Sequence, residues 1–426
     1  MIQSAVAAFR LPDVRRKIGF TVALLVLFRL VAHVPVPGIE TERLREFFAS
    51  SQLLGFLNLL SGGALENFSV VAMGVYPYVT SQIVFQVLIP FIPRLQELSK
   101  EGEAGRRKIA QWTRLATVPF AMLQGFGQLQ LLRHGDAGII AASLGFFDTF
   151  VILIVMTAGT MFLLWLGELI TENGVGNGVS IIIFAGIVAG APRALGQALF
   201  AGENIAGVVA VTVFGLVMIA AIVFVQEAQR RVPVQYAKRI RGTRMYGGQS
   251  THIPLRVNSA GMIPLIFAFS LMLLPGTIAS YFVGAEADFV SNIMRWARDA
   301  LSPASVVYWV FTFLLVIAFT YFYTMVVFHQ QNLPENLQKN GGFIPGIRPG
   351  KPTQAYLGRV VNRITLAGAV FLGVVAVIPF FIQLITNVQS MAISGTGLLI
   401  VVGVVLDTMK QLEAQLLMRN YRGFIS

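Results

Sequence analysis

The residues that could carry out catalysis or bind a cofactor are few in this chain and poorly spaced for either task. There is no cysteine, which excludes disulfides, thiolate metal sites and cysteine nucleophiles. The four histidines, His33, His134, His252 and His329, lie in or near loops and do not have metal-ligand spacing. We therefore expect no catalytic residue, no bound metal and no cofactor.

The sequence also lacks the pattern of a nucleotide site. No Gly-x-x-x-x-Gly-Lys-Ser/Thr motif occurs, and the glycine-rich stretch 174–178 (GVGNG) lacks the lysine and the preceding buried strand of a phosphate cradle. This stretch is better interpreted as a turn before a helix, with Asn177 as the cap. The charged residues Arg29, Glu168 and Asp407 are isolated near the ends of apolar stretches. Energy for any directional work must therefore come from outside the chain.

Apolar helices must position the functional residues, because the composition is that of an integral membrane protein. Of 426 residues, 55% are hydrophobic and 12% are charged, and the mean hydropathy is +0.72. A helix needs about 20 apolar residues to cross about 30 Å of hydrocarbon. We place ten spans at 18–34, 74–92, 115–132, 147–170, 179–191, 205–224, 262–282, 305–328, 364–385 and 397–416.

The basic residues predict how these spans are oriented. Lys and Arg in short flanking loops stay on the cytoplasmic side, and with both termini inside, 25 of the 32 Lys and Arg residues are cytoplasmic. The net charge of +12 is then a cytoplasmic feature, which anionic lipid would attract. The first span ends at 32–38 (AHVPVPG) without a small-x-small cleavage signature, so we interpret it as a retained helix and not as a signal peptide.

An apolar half-segment before the second span is broken at membrane depth by Ser61, Gly62 and Gly63. Unpaired backbone groups cost several kcal/mol in hydrocarbon, so irregular backbone survives there only when it is buried in protein or lines a watery cavity. A polytopic protein with such a break is expected to contain a pathway.

Two cytoplasmic loops are longer than simple connections require. In the loop at about 229–258, β-forming residues (VPVQY and THIPL) flank a Gly-Gly turn, which predicts a basic hairpin. In the loop at about 329–363, Pro and Gly alternate around one prominent cation, Arg348. A rigid, turn-rich loop would hold this side chain out for contact.

Several strings in this order resemble the SecY family of protein-conducting channel subunits along essentially the whole chain. They are PVPG at 35–38, LSGG at 60–63, KEGEAGRR at 100–107, TENGVGNG at 171–178, QSTH at 249–252, FIPGIRPG at 343–350 and LLIVV at 398–402. The resemblance implies an all-α polytopic membrane protein. Its ten transmembrane helices would form two pseudo-symmetric, inverted five-helix halves around an hourglass pore, with a plug half-helix. The halves would be 1–192 and 205–426, joined by an external hinge at 193–204.

The resemblance also assigns residues to the pore. A constriction of aliphatic side chains can exclude ions by dewetting and still yield to a passing chain. The matching ring positions are Val79, Ile83, Ile183, Ile187, Ile266 and Ile400. The plug would comprise about 56–68, with Phe56, Leu59, Leu60, Ser61, Gly62, Gly63 and Phe68 as its marked residues. From sequence alone, permanent re-entrant packing of this segment and ordinary core or lipid contacts for the ring residues stay open.

A lateral exit is implied between spans two and three on one side and spans seven and eight on the other. Polar residues at this seam would weaken its closed state. The candidates are Thr80, Gln82, Gln86, Gln124, Gln128 and Ser270, and ordinary interhelical hydrogen bonds are the alternative for each. The basic hairpin and second loop resemble the docking surface for the SecA motor and the ribosome. Its candidate contacts are Arg231, Lys238, Arg239, Arg241, Arg244, Arg256 and Arg348, with solvated loop cations as the alternative.

The function implied is translocation of unfolded secretory polypeptides across the bacterial plasma membrane and lateral insertion of membrane proteins. The channel would not be an enzyme, and SecA ATPase, the ribosome or the proton-motive force would supply energy. Expected partners are SecE, SecG, SecA, the ribosome, signal sequences, unfolded precursors and anionic lipids. A secondary solute transporter is the competing class, although the predicted midplane has almost no charge for binding solute or ion. An insertase or scaffold without a through-pore is a third.

Overall fold

The computed structural model describes residues 11–36, 61, 63–65, 67–134, 145–200, 205–236, 239–241, 244–246, 250–261, 263–269, 271–272, 300–301, 305–331, 333–386 and 395–422. The helices are α1 (Pro12–Val31), α2 (Tyr76–Leu88), α3 (Pro93–Lys100), α4 (Glu103–His134), α5 (Phe146–Asn173), α6 (Gly178–Phe200), α7 (Ile205–Glu227), α8 (Val306–Gln331), α9 (Leu333–Lys339), α10 (Lys351–Thr386) and α11 (Gly395–Arg422). Residues 263–269 are also helical. The strands are β1 (Gln229–Tyr236), β2 (Arg239–Arg241), β3 (Arg244–Tyr246), β4 (Ser250–Arg256) and β5 (Gly342–Phe343).

Every predicted span overlaps a helix of the described residues. By length and apolar composition, four stretches of this part of the chain can cross a membrane: Phe146–Asn173, Val209–Glu227, Val306–Lys339 and Lys351–Ile382. The pair α2 and α3 would make a fifth, although it bends by 99° at the break between the two helices. The count of ten spans stays a prediction.

Two helices extend well beyond the apolar stretches that predicted them. The helix α4 begins at Glu103, and α10 begins at Lys351, each about three turns before the predicted span. Charged and polar residues in these extensions end the hydropathy signal but do not end the helix, because the backbone hydrogen bonds continue in water. The helical bundle therefore continues beyond the apolar stretches.

The strands form two small antiparallel sheets. In the larger one β1 is central and pairs with β4 on one side, where Val232 lies opposite Ile253. This is the predicted basic hairpin. On the other side, β1 pairs with β5 of the second loop, where Tyr236 lies opposite Gly342. The two loops therefore form one folded unit, whereas the sequence predicted them separately.

Two buried apolar clusters divide the membrane-spanning helices. One cluster joins α1, α5 and α6 to the segment 64–75. The other joins α7, α8, α10 and the helical residues 263–269. The helix α11 contributes to both, with Ile400 and Val404 in the first and Leu399 and Val402 in the second. The helix α11 is therefore common to both clusters. The two pseudo-symmetric halves stay a prediction. The hinge proposed at 193–204 stays a prediction.

The close packing of Gly178, the first residue of α6, generates a first prediction. At Gly178 an added Cβ would lie 1.8 Å from the carbonyl oxygen of Gly167 on α5, so α5 and α6 would have to separate. We expect Gly178→Ala to destabilise the purified protein by about 1–3 kcal/mol, the usual range for overpacking. Gly190→Ala on the same helix is the control, because nothing lies within 4 Å of its added Cβ. Thermal unfolding in detergent measures both, and equal unfolding temperatures would refute the packing argument.

Candidate functional site

An aliphatic cluster lies where the pore ring is predicted. Ile183 and Ile187 lie one turn apart on α6, and both are buried together with Ile400 of α11. Val79 of α2 is partly buried and packs against the same cluster. Three separate helices therefore bring four predicted ring residues together without any hydrogen bond between their side chains.

The cavity beside this cluster, lined in part by Val79 and Ile183, is very small. A cavity of about 10 Å³ is lined by Val75, Tyr76, Val79, Ile183 and Ile266, so a fifth predicted ring residue belongs to the same place. About 10–15 Å³ is the least that holds one water molecule. The lining is almost entirely apolar. A cavity of this size and lining cannot hold a hydrated ion, because the ion would have to shed its water without replacement ligands.

Ile83 is the sixth predicted ring residue, and the structure does not place it in this group. It lies one turn after Val79 on α2 and is partly exposed. It is not among the residues of the aliphatic cluster or of the cavity lining. The i, i+4 spacing places Val79 and Ile83 on one side of α2, but it does not show that both line the cavity.

The described part of the predicted plug is tied to the end of α1 by its backbone. The amide of Val36 donates to the carbonyl of Phe68 at 2.9 Å, and the amide of Val70 donates to the carbonyl of Val34 at 3.0 Å. Phe68 is fully buried although its φ is +41°, a conformation that disfavours a bulky residue. These contacts fix the end of the segment that leads into α2.

The beginning of the plug is held differently. The Oγ of Ser61 accepts a hydrogen bond from the amide of Leu65 at 3.1 Å, and Gly63 has a φ of +81°. Where they are described, the residues from Ser61 to Phe68 form turns and not a helix. The remaining marked residues, Phe56, Leu59, Leu60 and Gly62, lie outside the described residues.

Two charged residues that the sequence suggested were isolated have close neighbours. The Nε of Arg114 on α4 lies 2.5 Å from a carboxylate oxygen of Glu168 on α5, so these two helices share an ion pair. The side chain of Arg29 lies beside the plug, since an added Cβ on Gly63 would be 3.7 Å from its Nη1. The expectation of isolation was wrong because both contacts join residues far apart in sequence.

Hydrogen bonds join spans two and three, which form one side of the predicted seam. The Oγ of Ser81 on α2 donates to the carbonyl of Thr113 on α4 at 2.7 Å. The Nε2 of Gln124 on α4 donates to the Oγ1 of Thr80 on α2 at 3.1 Å. The Oε1 of Gln128, one turn further along α4, is buried and has no hydrogen-bond partner in the described part of the chain. Gln82 and Gln86 on α2 are partly exposed, and Ser270 lies outside the described residues.

Aromatic contacts on the other side of the seam were not foreseen. Phe267 packs edge-to-face against Phe319 and Tyr323 of α8, with ring centroids 5.6 and 6.3 Å apart. Such pairs add to simple area burial by about 0.5–1.5 kcal/mol. The spacing of Phe319 and Tyr323, one turn apart on a helix, was the available signal in the sequence.

The unit of β1, β4 and β5, which we call the platform, has its own apolar core. Side chains from both loops, from the end of α8 and from the extension of α10 form it: Val232, Val234, Leu255, Phe328, Leu337, Ile344, Leu357 and Val361. Along β1 the exposed Arg231 alternates with the buried Val232, as expected for a half-buried strand. Arg256 at the end of β4 is also exposed. The platform therefore presents cations from a packed unit and not from a free loop.

Arg348 projects from a tight turn at the edge of the platform. It is exposed, and its carbonyl accepts a hydrogen bond at 2.9 Å from the hydroxyl of the buried Thr353. Gly346 and Gly350 on either side have φ values of +79° and +99°, which favour glycine. The backbone that carries this guanidinium group is thus fixed on both sides.

The other predicted cations lie on the tip of the hairpin. Arg239, Arg241 and Arg244 belong to β2 and β3, where Arg241 lies opposite Arg244. Lys238 lies outside the described residues. Among those described, no group of three His, Asp or Glu side chains could hold a metal ion.

Comparisons with known proteins agree on one family. The SecY family model matches residues 69–409. A protein translocase subunit SecY of Halalkalibacterium halodurans is 47% identical over 433 residues, covering 98% of each chain. The corresponding subunit of Bacillus subtilis is 44% identical over 98% of this chain and 97% of its own. That of Thermus thermophilus is 41% identical over 100% of this chain and 98% of its own.

Solved structures share the fold at much lower identity. A protein-conducting channel superposes with a TM-score of 0.61 at 17% identity, covering 94% of this chain and 92% of its own. The channel of a canine ribosome–channel complex from the endoplasmic reticulum gives a TM-score of 0.60 at 16% identity, with the same coverage.

The pairing of the two loops yields a second prediction. Val234 is fully buried in the platform core, and an ionised side chain there costs several kcal/mol. We expect Val234→Asp to release β5 and to speed chymotrypsin cleavage after Phe343 by about tenfold or more, since cleavage follows the open population. Gln229→Asp, on the exposed face of the same strand, should leave the rate unchanged. Unchanged cleavage in Val234→Asp would contradict the observed strand pairing.

Proposed function

This chain belongs to the SecY family, and from that premise we propose that it is the channel subunit of a protein translocase. It would move unfolded secretory polypeptides outward across the bacterial plasma membrane and release apolar helices sideways into lipid. Both of its termini would be cytoplasmic. The observation that carries this proposal is a cavity of about 10 Å³ lined by Val79, Ile183 and Ile266, beside the aliphatic cluster that contains Ile400. The cavity has room for about one water molecule.

An aliphatic constriction suits a polypeptide better than a solute. Its side chains pack without directional bonds, so they can part for segments of any sequence and close again behind them. A carrier needs polar or charged ligands to recognise its solute and coupling ion. The residues that line the small cavity include no carboxylate and no cation. The secondary-transporter alternative therefore has no binding site at this position.

The plug and the seam would control access to this constriction. Ala64 belongs to the same apolar cluster as Ile183 and Ile400, so the plug segment supports the closed ring. We propose that a signal sequence opens the seam by entering between spans two and three on one side and spans seven and eight on the other, where it meets lipid. The contact of Thr80 with Gln124 would hold the first side together. The buried oxygen of Gln128, which has no hydrogen-bond partner among the described residues, would make the closed seam less stable than an apolar one.

The platform would receive the partners that drive transport. We propose SecA and the ribosome as its ligands, because exposed guanidinium groups bind both acidic protein surfaces and RNA phosphates. The canine relative of known structure is itself part of a ribosome–channel complex. SecE and SecG would complete the membrane complex, and anionic lipids would surround its cationic face. In this scheme the chain is not an enzyme, and SecA, the ribosome or the proton-motive force does the work.

Cross-linking of a stalled precursor tests the proposed path. The chain contains no native cysteine, so single replacements give unambiguous adducts. We expect a precursor carrying one cysteine in its translocating segment to form disulfides with Ile183→Cys and Ile400→Cys. Val188→Cys is the control, because Val188 follows Ile187 on α6, is 43% exposed and does not belong to the aliphatic cluster. Adducts at Val188 and none at the other two positions would exclude a central pathway.

Charge reversal tests the proposed coupling of the platform to the motor. We expect Arg348→Glu to leave membrane assembly intact and to reduce SecA-driven export by about tenfold or more, the scale of losing a bidentate charged contact. Lys339→Glu makes the same change in charge on an exposed residue of α9 and should have little effect. Export by reconstituted vesicles measures both. Normal ATP-dependent export by Arg348→Glu would refute the assignment.

A further inference from the structure

One ion pair joins the base of the platform to the helix that carries Ile400. The Nζ of Lys410 on α11 lies 2.7 Å from the Oε1 of Glu227, the last residue of α7. The side chains are 28% and 34% exposed, so water screens this pair less than a pair on the open surface. The two residues are far apart in sequence, and the contact exists only in the folded bundle.

The platform begins immediately after Glu227. Strand β1 starts at Gln229, and the carbonyl of Ala228 accepts a hydrogen bond of 2.9 Å from the amide of Val257, which follows β4. This backbone hydrogen bond therefore joins the two ends of the hairpin at Ala228, one residue after Glu227. Any tilt of the hairpin must act on the end of α7.

The end of α7 also packs closely against α11 at a glycine of that helix, Gly403. The side chain of Gln226 approaches Gly403, where an added Cβ would lie 3.4 Å from its Nε2. On the α7 side, Met218 and Ile222 share an apolar cluster with Leu406 of α11. The two helices thus form one packed pair, and the ion pair closes its cytoplasmic end.

The helix α11 continues from Lys410 to the aliphatic cluster. Ile400 and Val404 lie on it, both buried in the cluster that contains Ile183 and Ile187. Ten residues of helix separate Lys410 from Ile400, a distance of about 15 Å. A helix is stiff over such a length, so a shift at one end displaces the other.

We propose that the ion pair of Glu227 and Lys410 is a coupling site, which transmits displacement of the platform to the pore ring through α11. Glu227 and Lys410 are positioning residues in this scheme and do not contact the translocating chain. The inference rests on the proposed function, because it requires that a motor binds the platform and that Ile400 lines the path. It predicts that motor binding and transport respond differently when the pair is lost.

The test uses the channel reconstituted in vesicles with its partner subunits, and SecA with ATP as the motor. Glu227→Gln and Lys410→Gln each remove one charge at nearly constant size. We expect each to lower the precursor transported per ATP hydrolysed by about fivefold, the lower end of typical coupling. The affinity of SecA for the vesicles should not change, because neither residue belongs to the exposed docking surface. The exchange variant E227K/K410E should recover at least half of the loss.

The exposed pair of Glu103 and Arg107 provides the matched control. Its atoms are also 2.7 Å apart, but its side chains are 80% and 77% exposed, and it lies within α4 alone. Glu103→Gln should transport precursor with the efficiency of the unaltered chain. A loss equal to that of Glu227→Gln would show that any cytoplasmic charge matters, and it would overturn the proposal.

Three further outcomes are decisive. Unaltered transport per ATP in Glu227→Gln overturns the coupling role, as does a parallel loss of SecA affinity, which would make the pair part of the docking surface. An exchange variant that folds but transports as little precursor per ATP as the single variants also overturns it. If the unaltered chain moves no precursor, the proposed function fails instead. Transport by the unaltered chain and by Glu227→Gln at equal efficiency rejects the coupling site alone.

Discussion

The structure depends on the apolar contact that α11 makes with both halves of the bundle. Leu399 packs with the helices that follow 205, and its neighbour Ile400 packs with α6. Adjacent helical residues point about 100° apart, so a single helix can fill both clusters at once. Hydrophobic contact has no direction, and it tolerates sliding better than a network of hydrogen bonds does. In the proposed function, this interface would seal the pore and still allow the helices to move.

The irregular segment before α2 is possible because its backbone is satisfied by protein. Two hydrogen bonds join Phe68 and Val70 to residues 34–36, and an isolated bridge pairs Pro35 with Ser69. These contacts supply the hydrogen bonds that water would otherwise make, because hydrocarbon offers no donor or acceptor. Within the segment, the Oγ of Ser61 accepts a hydrogen bond from the amide of Leu65, and the Nδ2 of Asn67 donates to the carbonyl of Gly63. The segment is thus anchored where it enters α2.

Local sequence signals predicted the elements and missed most of the contacts between them. Apolar stretches located α5, α7, α8 and α10, because the bilayer requires long runs of one composition. The strands of the hairpin followed from β-branched residues beside a Gly-Gly turn. The two-residue strand β5 carries no such signal, since its pairing is decided by the shared core beneath it.

The candidate site shows the same limit. Val79, Ile183, Ile266 and Ile400 were assigned by resemblance to a family, and aliphatic side chains on apolar helices carry no mark that separates pore from lipid. The ion pairs of Arg114 with Glu168 and of Lys410 with Glu227 could not be predicted, because charges near span ends usually face water. Only tertiary packing decides which of them meet.

Rigidity of the platform and softness of the ring are complementary requirements. A cation on a free loop would lose much of its binding free energy to ordering, whereas Arg348 is held by Thr353 and by a turn between two glycines. A docking partner can then push on the whole unit instead of deforming it. In the proposed function, the ring would have to respond in the opposite way, since a passing polypeptide has no fixed shape. Hydrogen-bonded strands and turns in the platform and aliphatic contacts around Ile183 and Ile400 would meet these two requirements.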